Sequence, residues 1–308
     1  MTEFIKQITQ EYGDAAEIVP IEWLHMLKQD VDDLKNDDSL NDFIMARIKG
    51  EYDDILTLPK IEFVVRSIII VASKSSLAEV IFNHNGKRIP LQLPPGYVHY
   101  ISKPAFIEDN LTKTLSPHGY HVKRIERLPL KILAVRSGLC VYGRNNICFR
   151  EDMGSFLGLF AYLSDIPCES GEWHPLRRMD SCETCRICER NCPTGAIKEE
   201  KVIISSDRCL TRFSYNRNEL PDGMELPDYL YGCMKCQECC PHNHRYLGNV
   251  IESEEFTEEE TRILLQGTPF ESLTKELGQK LRTTGMQCWF GALQCNLGPL
   301  LDKLQGAY

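Results

Sequence analysis

The stretch CETCRICERNCP, residues 182–193, places cysteines at 182, 185, 188 and 192 with gaps of two, two and three residues, and closes on Pro193. A second stretch, CMKCQECCP at 233–241, repeats the pattern with Cys233, Cys236, Cys239 and Cys240, closing on Pro241. Cys209, after Asp207-Arg208, lies between them. The chain has 308 residues and 14 cysteines; nine fall in this one segment and none precedes Cys140. Disulfide frameworks distribute cysteines over a small secreted domain, whereas concentration in short runs is the pattern of metal ligation in a reducing compartment.

Two thiolates per turn in CxxC pairs also build zinc sites. Three cysteines at successive two-residue gaps followed by x3-Cys-Pro are instead the double-cluster run of bacterial ferredoxins, in which the pre-proline cysteine serves the other cluster. A cubane needs four thiolates at tetrahedral corners. A tight loop supplies three from one side, and the fourth comes from elsewhere in the chain. Two [4Fe-4S] clusters need eight thiolates, and two assignments satisfy the pattern. In both, Cys182, Cys185, Cys188 and Cys240 hold one cluster. The other takes Cys192, Cys233 and Cys236 with either Cys209 or Cys239.

Outward from this segment, composition narrows the rest. At 43% hydrophobic and 26% charged the chain is neither disordered nor collagen-like, and its net charge of −9 argues against a protein that coats nucleic acid. The first residues lack an apolar signal core and no stretch is apolar enough for a membrane span, so a cytoplasmic protein with no membrane partner is expected. Residues 1–60 read as helical, from the spacing of Ile21, Leu24, Met26 or Leu27, Val31 and Leu34. Ser67–Ser73 reads as a buried strand, and Asn85-Gly86 as a hairpin turn joining Ala78–His84 to Ile89–Leu93. Helices are expected at Pro104–Leu115 and Leu130–Ser137, with an extended piece between them. That alternation predicts an α/β cofactor or substrate domain over 61–172, then the cluster domain over 173–250 and a helical region over 251–308. Cys288 and Cys295, seven apart, read as core cysteines of one helix face; Cys140, Cys148 and Cys168 read as buried free thiols.

Lys123–Arg150 holds seven Lys/Arg (Lys123, Arg124, Arg127, Lys131, Arg136, Arg144, Arg150) against one acid, Glu126. This basic island in an acidic chain points to an anionic ligand, or to ion pairs with the acidic segments. Within it, Gly138 and Gly143 let backbone approach a bulky group.

The run KILAVRSGLCVYGRNN (131–146), Gly154-Ser155-Phe156, the first cysteine run with Thr194-Gly195, Arg208-Cys209, and Gly232-Cys233 through Pro241-x-Asn243 together resemble epoxyqueuosine reductase. The same two-cluster architecture is similar to the core of reductive dehalogenases. The resemblance covers roughly 61–245. It implies an α+β chain whose α/β part is a nitroreductase-like corrinoid domain, joined to a ferredoxin-like domain with two [4Fe-4S] clusters and flanked by helical termini. It implies Cys209, not Cys239, as the eighth ligand. It also implies an oxidoreductase passing single electrons to cobalamin to reduce a small molecule or modified nucleoside, with Gly138, Leu139, Cys140, Gly143, Arg144, Asn145 and Asn146 lying against the corrinoid. The electron donor would be a ferredoxin or flavodoxin; the alternative is an electron-transfer protein or reductive activator for a partner corrinoid protein. The family's catalytic aspartate falls at Arg124, so the catalytic residue is unknown. The C-terminal helical repeats that serve tRNA in longer members have no counterpart in 251–308, and tRNA is not an expected partner.

Overall fold

The computed structural model describes every residue except 1, 38–39, 53, 99, 170, 199–202 and 306–308. In chain order the elements are α1 (Thr2–Glu11), β1 (Asp14–Pro20), α2 (Trp23–Lys35), α3 (Asp42–Tyr52), β2 (Ser67–Lys74), β3 (Leu77–His84), β4 (Lys87–Leu93), α4 (Ser102–Leu115), β5 (Val122–Ile125), α5 (Leu130–Arg136), β6 (Val141–Tyr142), β7 (Cys148–Phe149) and β8 (Leu157–Ser164). The cysteine segment carries four-residue helices α6 (Cys182–Cys185), α7 (Ile187–Arg190), α9 (Lys235–Glu238) and α10 (His244–Leu247), with α8 (Leu210–Tyr215) between the runs. The chain continues through β9 (Val250–Phe256), α11 (Glu258–Leu265), α12 (Lys275–Thr283) and α13 (Phe290–Gln305).

β2 is the axis of the main sheet. Its β-branched run Ile68–Val71 is fully buried because both faces are covered. Ile68, Ile70 and Ala72 pack toward α2, α3 and α5, while Ile69 and Val71 pack with Ile5 of α1 and Ile107, Leu111 and Leu115 of α4. The strand order is β1-β2-β8-β5, antiparallel throughout. A smaller sheet, β4-β3-β9, starts from the hairpin at Asn85-Gly86, both in the left-handed region (φ 51° and 72°) as a type I′ turn requires. It packs its apolar face on α11, α12 and α13 through Phe82, Leu91, Phe256, Leu277 and Leu297.

The domain reading needs two corrections. The 1–60 region is not purely helical: β1 pairs with β2 along its whole length. The C-terminal region contributes β9, which pairs parallel with β3. The element boundaries at 60, 172 and 250 therefore do not separate independent packing units. Among the described residues, no helix is long and apolar enough to cross a membrane.

Candidate iron–sulfur site and adjoining cleft

The first cysteine loop turns sharply at Arg186, a left-handed residue (φ 51°) between α6 and α7, and Arg186 pairs with Glu189 at 2.8 Å. This reversal lets Cys182, Cys185 and Cys188 face one volume. That volume, about 220 Å³, is lined by these three and by Cys240 from the second loop. The second loop is anchored by Met234, wholly buried against Leu77, Phe156 and Tyr246. A second cavity of about 630 Å³ is lined by Cys192, Cys209, Cys233 and Cys236. Each pre-proline cysteine thus crosses to the other loop's cavity. Cys209 lines the larger cavity, whereas Cys239 lines neither and exerts its charge on Cys188 and Cys240. No three His, Cys, Asp or Glu side chains among the described residues converge on one point that could hold a single ion. The thiols stand around a volume, the arrangement a multi-atom cluster needs.

Burial pushes the Cys188 thiol up to about 12 and Cys233 up to about 11, with neighbouring cysteines adding to it. Cys236 is raised likewise. Such a ring ionises together only around cationic iron, which deprotonates coordinating thiols outright. Cys192 behaves differently. Burial raises it, but bonds from the Thr194 hydroxyl and the amides of Thr194, Ala196 and Ile197 leave it net lowered. Both cavities therefore fit a cubane: four thiols each, with amides aimed at Cys192.

The glycine turn divides in two. Gly138 (φ 76°) is filled by the protein itself, since a Cβ there would lie 2.8 Å from the His174 ring. Leu139 and Cys140 are buried in the core, with the Cys140 thiol against Cys148. These three do not line the described cavities. Gly143, Arg144 and Asn145 line the smaller cavity, while Asn145 and Asn146 line the larger. Arg144 is buried and donates to the Cys182 carbonyl; Asn145 donates to the Cys236 carbonyl at 3.4 Å. The sheet is also tied to the second loop. Asn243 accepts from the Ser155 amide at 2.9 Å and donates to the Ser155 hydroxyl and Gln237 carbonyl, and the Ser155 hydroxyl donates to the Gln237 side chain.

A third cavity, about 600 Å³, adjoins the larger cysteine cavity; the two share Arg47, Lys131, Asn146, Ile204 and Ser206 in their walls. Together they form a cleft beside Cys192, Cys209, Cys233 and Cys236. Its apolar walls (Phe43, Pro94, Pro95, Leu128) and cationic rim fit a large, flat, partly anionic group such as a corrinoid. The sequence pattern did not single out Arg47 of α3, which lines both cavities, nor Tyr97 and Tyr215, which meet hydroxyl to hydroxyl at 2.6 Å beside Cys209.

Most of the basic island is neutralised. Lys123 pairs with Glu108, Arg124 with Glu126, Arg136 with Asp30, Arg144 with Glu189 and Arg150 with Asp152, at 2.5–3.8 Å. Cys288 and Cys295 are exposed, not core. Cys288 lies in a 3₁₀ turn, Met286–Trp289, ahead of α13, and α13, which carries Cys295, buries Leu293, Asn296, Leu297 and Leu300 instead. Cys168 is half-buried, its thiol on the Ile18 carbonyl at 3.6 Å.

Residues 181–243 match the family described as the 4Fe-4S double cluster binding domain, which with the paired cysteine cavities defines an iron–sulfur protein. Epoxyqueuosine reductase of Staphylococcus aureus is 33% identical over 115 residues, 37% of this chain and 29% of that protein. The chain thus matches about a third or less of that relative's length. The fold is similar to the structure of epoxyqueuosine reductase from Bacillus subtilis with its catalytic loop swung out of the active site (TM-score 0.55, 20% identity, covering 89% of this chain and 80% of that one). An epoxyqueuosine reductase structure with an epoxyqueuosine-modified tRNA-Tyr stem loop matches equally well (TM-score 0.55, 20% identity, 89% and 80%). The chain is similar to epoxyqueuosine reductases over about a third of its sequence, and it has a mixed α/β fold like theirs.

Proposed function

We propose that this chain is an iron–sulfur oxidoreductase that passes single electrons through two [4Fe-4S] clusters to cobalamin in the cleft, for reduction of a modified nucleoside. Cys182, Cys185, Cys188 and Cys240 hold the outer cluster, and Cys192, Cys209, Cys233 and Cys236 the inner one. The observation that carries this reading is that the second cysteine ring opens into the cleft while the first does not. A bound corrinoid supplies low-valent cobalt chemistry. The chain's own residues fix the distance between clusters by exchanging one thiolate each, hold both loops against the sheet through Arg144, Asn145 and Asn243, and present Tyr97, Tyr215 and Asn146 to the ligand. The tRNA stem loop bound by a structural relative supports a nucleoside carried on RNA as the substrate class, despite the expectation from sequence. A ferredoxin or flavodoxin is the donor.

A second reading, reductive activator of a partner corrinoid protein, is favoured by Arg124. The family resemblance implies the catalytic aspartate's position for it, and Glu126 beside it is exposed and paired to Arg124 at 3.3 Å. Anaerobic reconstitution followed by iron analysis, electron paramagnetic resonance and gel filtration with hydroxocobalamin tests both. Stoichiometric corrinoid retention supports the reductase. No retention, with cobalt(I) forming in an added corrinoid protein, supports the activator. Absence of cluster signals overturns both.

A further inference from the structure

Of the seven cations in the basic island, five are paired to carboxylates, and the two that remain, Arg127 and Lys131, both line the third cavity. Lys131 also lines the cysteine cavity, so it stands at the junction of the two. Its Nζ donates to the Asn146 carbonyl at 3.0 Å and to Asn146 Oδ1 at 2.9 Å. Two of three ammonium donors are thereby fixed, and one is left for the cavity. Asn146 is itself held in the left-handed region (φ 60°), which points both its oxygens at the lysine. Among the described residues no carboxylate pairs with Lys131. Glu51, whose charge it feels, is taken by Arg47 at 2.7 Å. Lys131 itself is an exposed residue, and partial desolvation at the cavity wall shifts its pKa down. Arg127 is exposed on the same wall.

We infer that Lys131 and Arg127 form a phosphate subsite, taking the phosphate group of the organic ligand seated in the cleft. A guanidinium fork with a point-charge ammonium matches phosphate oxygens, and a phosphate supplies the counter-charge that Lys131 lacks. The inference rests on the cleft being the ligand site of the proposed reductase. Two sources carry this chemistry: the phosphodiester of a corrinoid's nucleotide loop, and the phosphate of a nucleotide substrate.

The test measures binding to the anaerobically reconstituted holoprotein of hydroxocobalamin, of cobinamide (the same macrocycle without the phosphodiester) and of guanosine 5′-monophosphate. Wild type, Lys131→Met, Lys131→Arg and Arg127→Gln are compared at matched iron content. Lys131→Met is expected to weaken at least one phosphate-bearing ligand by about tenfold, with cobinamide unchanged and Lys131→Arg restoring most of the loss. Loss confined to hydroxocobalamin assigns the corrinoid phosphodiester; loss confined to the nucleotide assigns the substrate phosphate. If hydroxocobalamin fails to bind wild type while the nucleotide binds through Lys131, the cofactor reading falls and the subsite stands. If the corrinoid binds and no ligand responds to Lys131→Met or Arg127→Gln, the subsite falls and the cofactor reading stands. Binding of neither phosphate ligand to wild type overturns the subsite.

Discussion

The Arg144 guanidinium donates to the backbone carbonyl of Cys182 at 2.6 Å, while the next residue, Asn145, reaches the carbonyl of Cys236. Adjacent residues of one turn therefore hold the loops of two different cysteine rings. A buried cation beside the first ring favours the reduced, more negative cluster. Arg144→Gln is expected to lower one midpoint potential by on the order of tens of millivolts, and Arg144→Lys to retain most of it. Redox titration followed by electron paramagnetic resonance reads this, and two unchanged potentials would refute it.

Cys209 and Cys239 are separated by the same experiment on either side. Cys209→Ser should reduce iron from about eight to about four atoms per chain, because it removes a corner of the larger ring. Cys239→Ser should leave iron content and both signals in place. The reverse result would move the inner cluster's fourth ligand to Cys239.

Asn296 in α13 is buried and donates to the carbonyls of Ser214 at 2.7 Å and Leu230 at 3.0 Å, at the end of α8 and just before Cys233. Asn296→Leu strands both carbonyls and should cost about 1–3 kcal/mol in chemical denaturation. The cluster nearer Cys233 should bleach first on warming. Equal loss of both signals would show that the helix acts on the whole fold and not on that loop.

Asp14, at the start of β1, is raised by burial, only partly offset by the Ser73 hydroxyl and Lys103. The folded state then holds the carboxyl proton more tightly than the unfolded chain. Its stabilising contribution is full below the ordinary carboxylate value and is lost as pH rises through the raised one. Asp14→Asn should therefore melt at or slightly above wild type at pH 8, with that advantage shrinking at pH 5. An advantage that grows toward low pH would contradict the sign.

Where a residue's role depends on local rules, the sequence was sufficient. The Asn85-Gly86 turn, the apolar run of β2 and the cysteine gaps each carry their own geometry. β1 was missed because DAAEIVP is short and Ala-rich, and its place is decided by pairing with β2, far along the chain. β9, VIESEEF, reads as an acidic helix entrance; its carboxylates Glu252 and Glu255 instead face Arg88 of β4 across the sheet. The basic island carries both of its sequence readings. Asp30, Glu108 and Glu189, partners of three of its cations, lie elsewhere in the sequence, so only the folded chain shows which cations are ion-paired. The same holds for Cys288 and Cys295, whose helical spacing is broken by a turn the residues do not announce.

The bonds joining Ser155 to Asn243 and Gln237 carry a consequence for protein engineering. A miniature electron carrier excised between residues 173 and 250 would leave behind Arg144, Asn145 and Ser155, exposing Asn243 and two loop carbonyls to water. Grafting a foreign double-cluster cassette into this scaffold would meet the mirror problem, three donors with nothing to hold. The wiring and its mount are inherited as one piece.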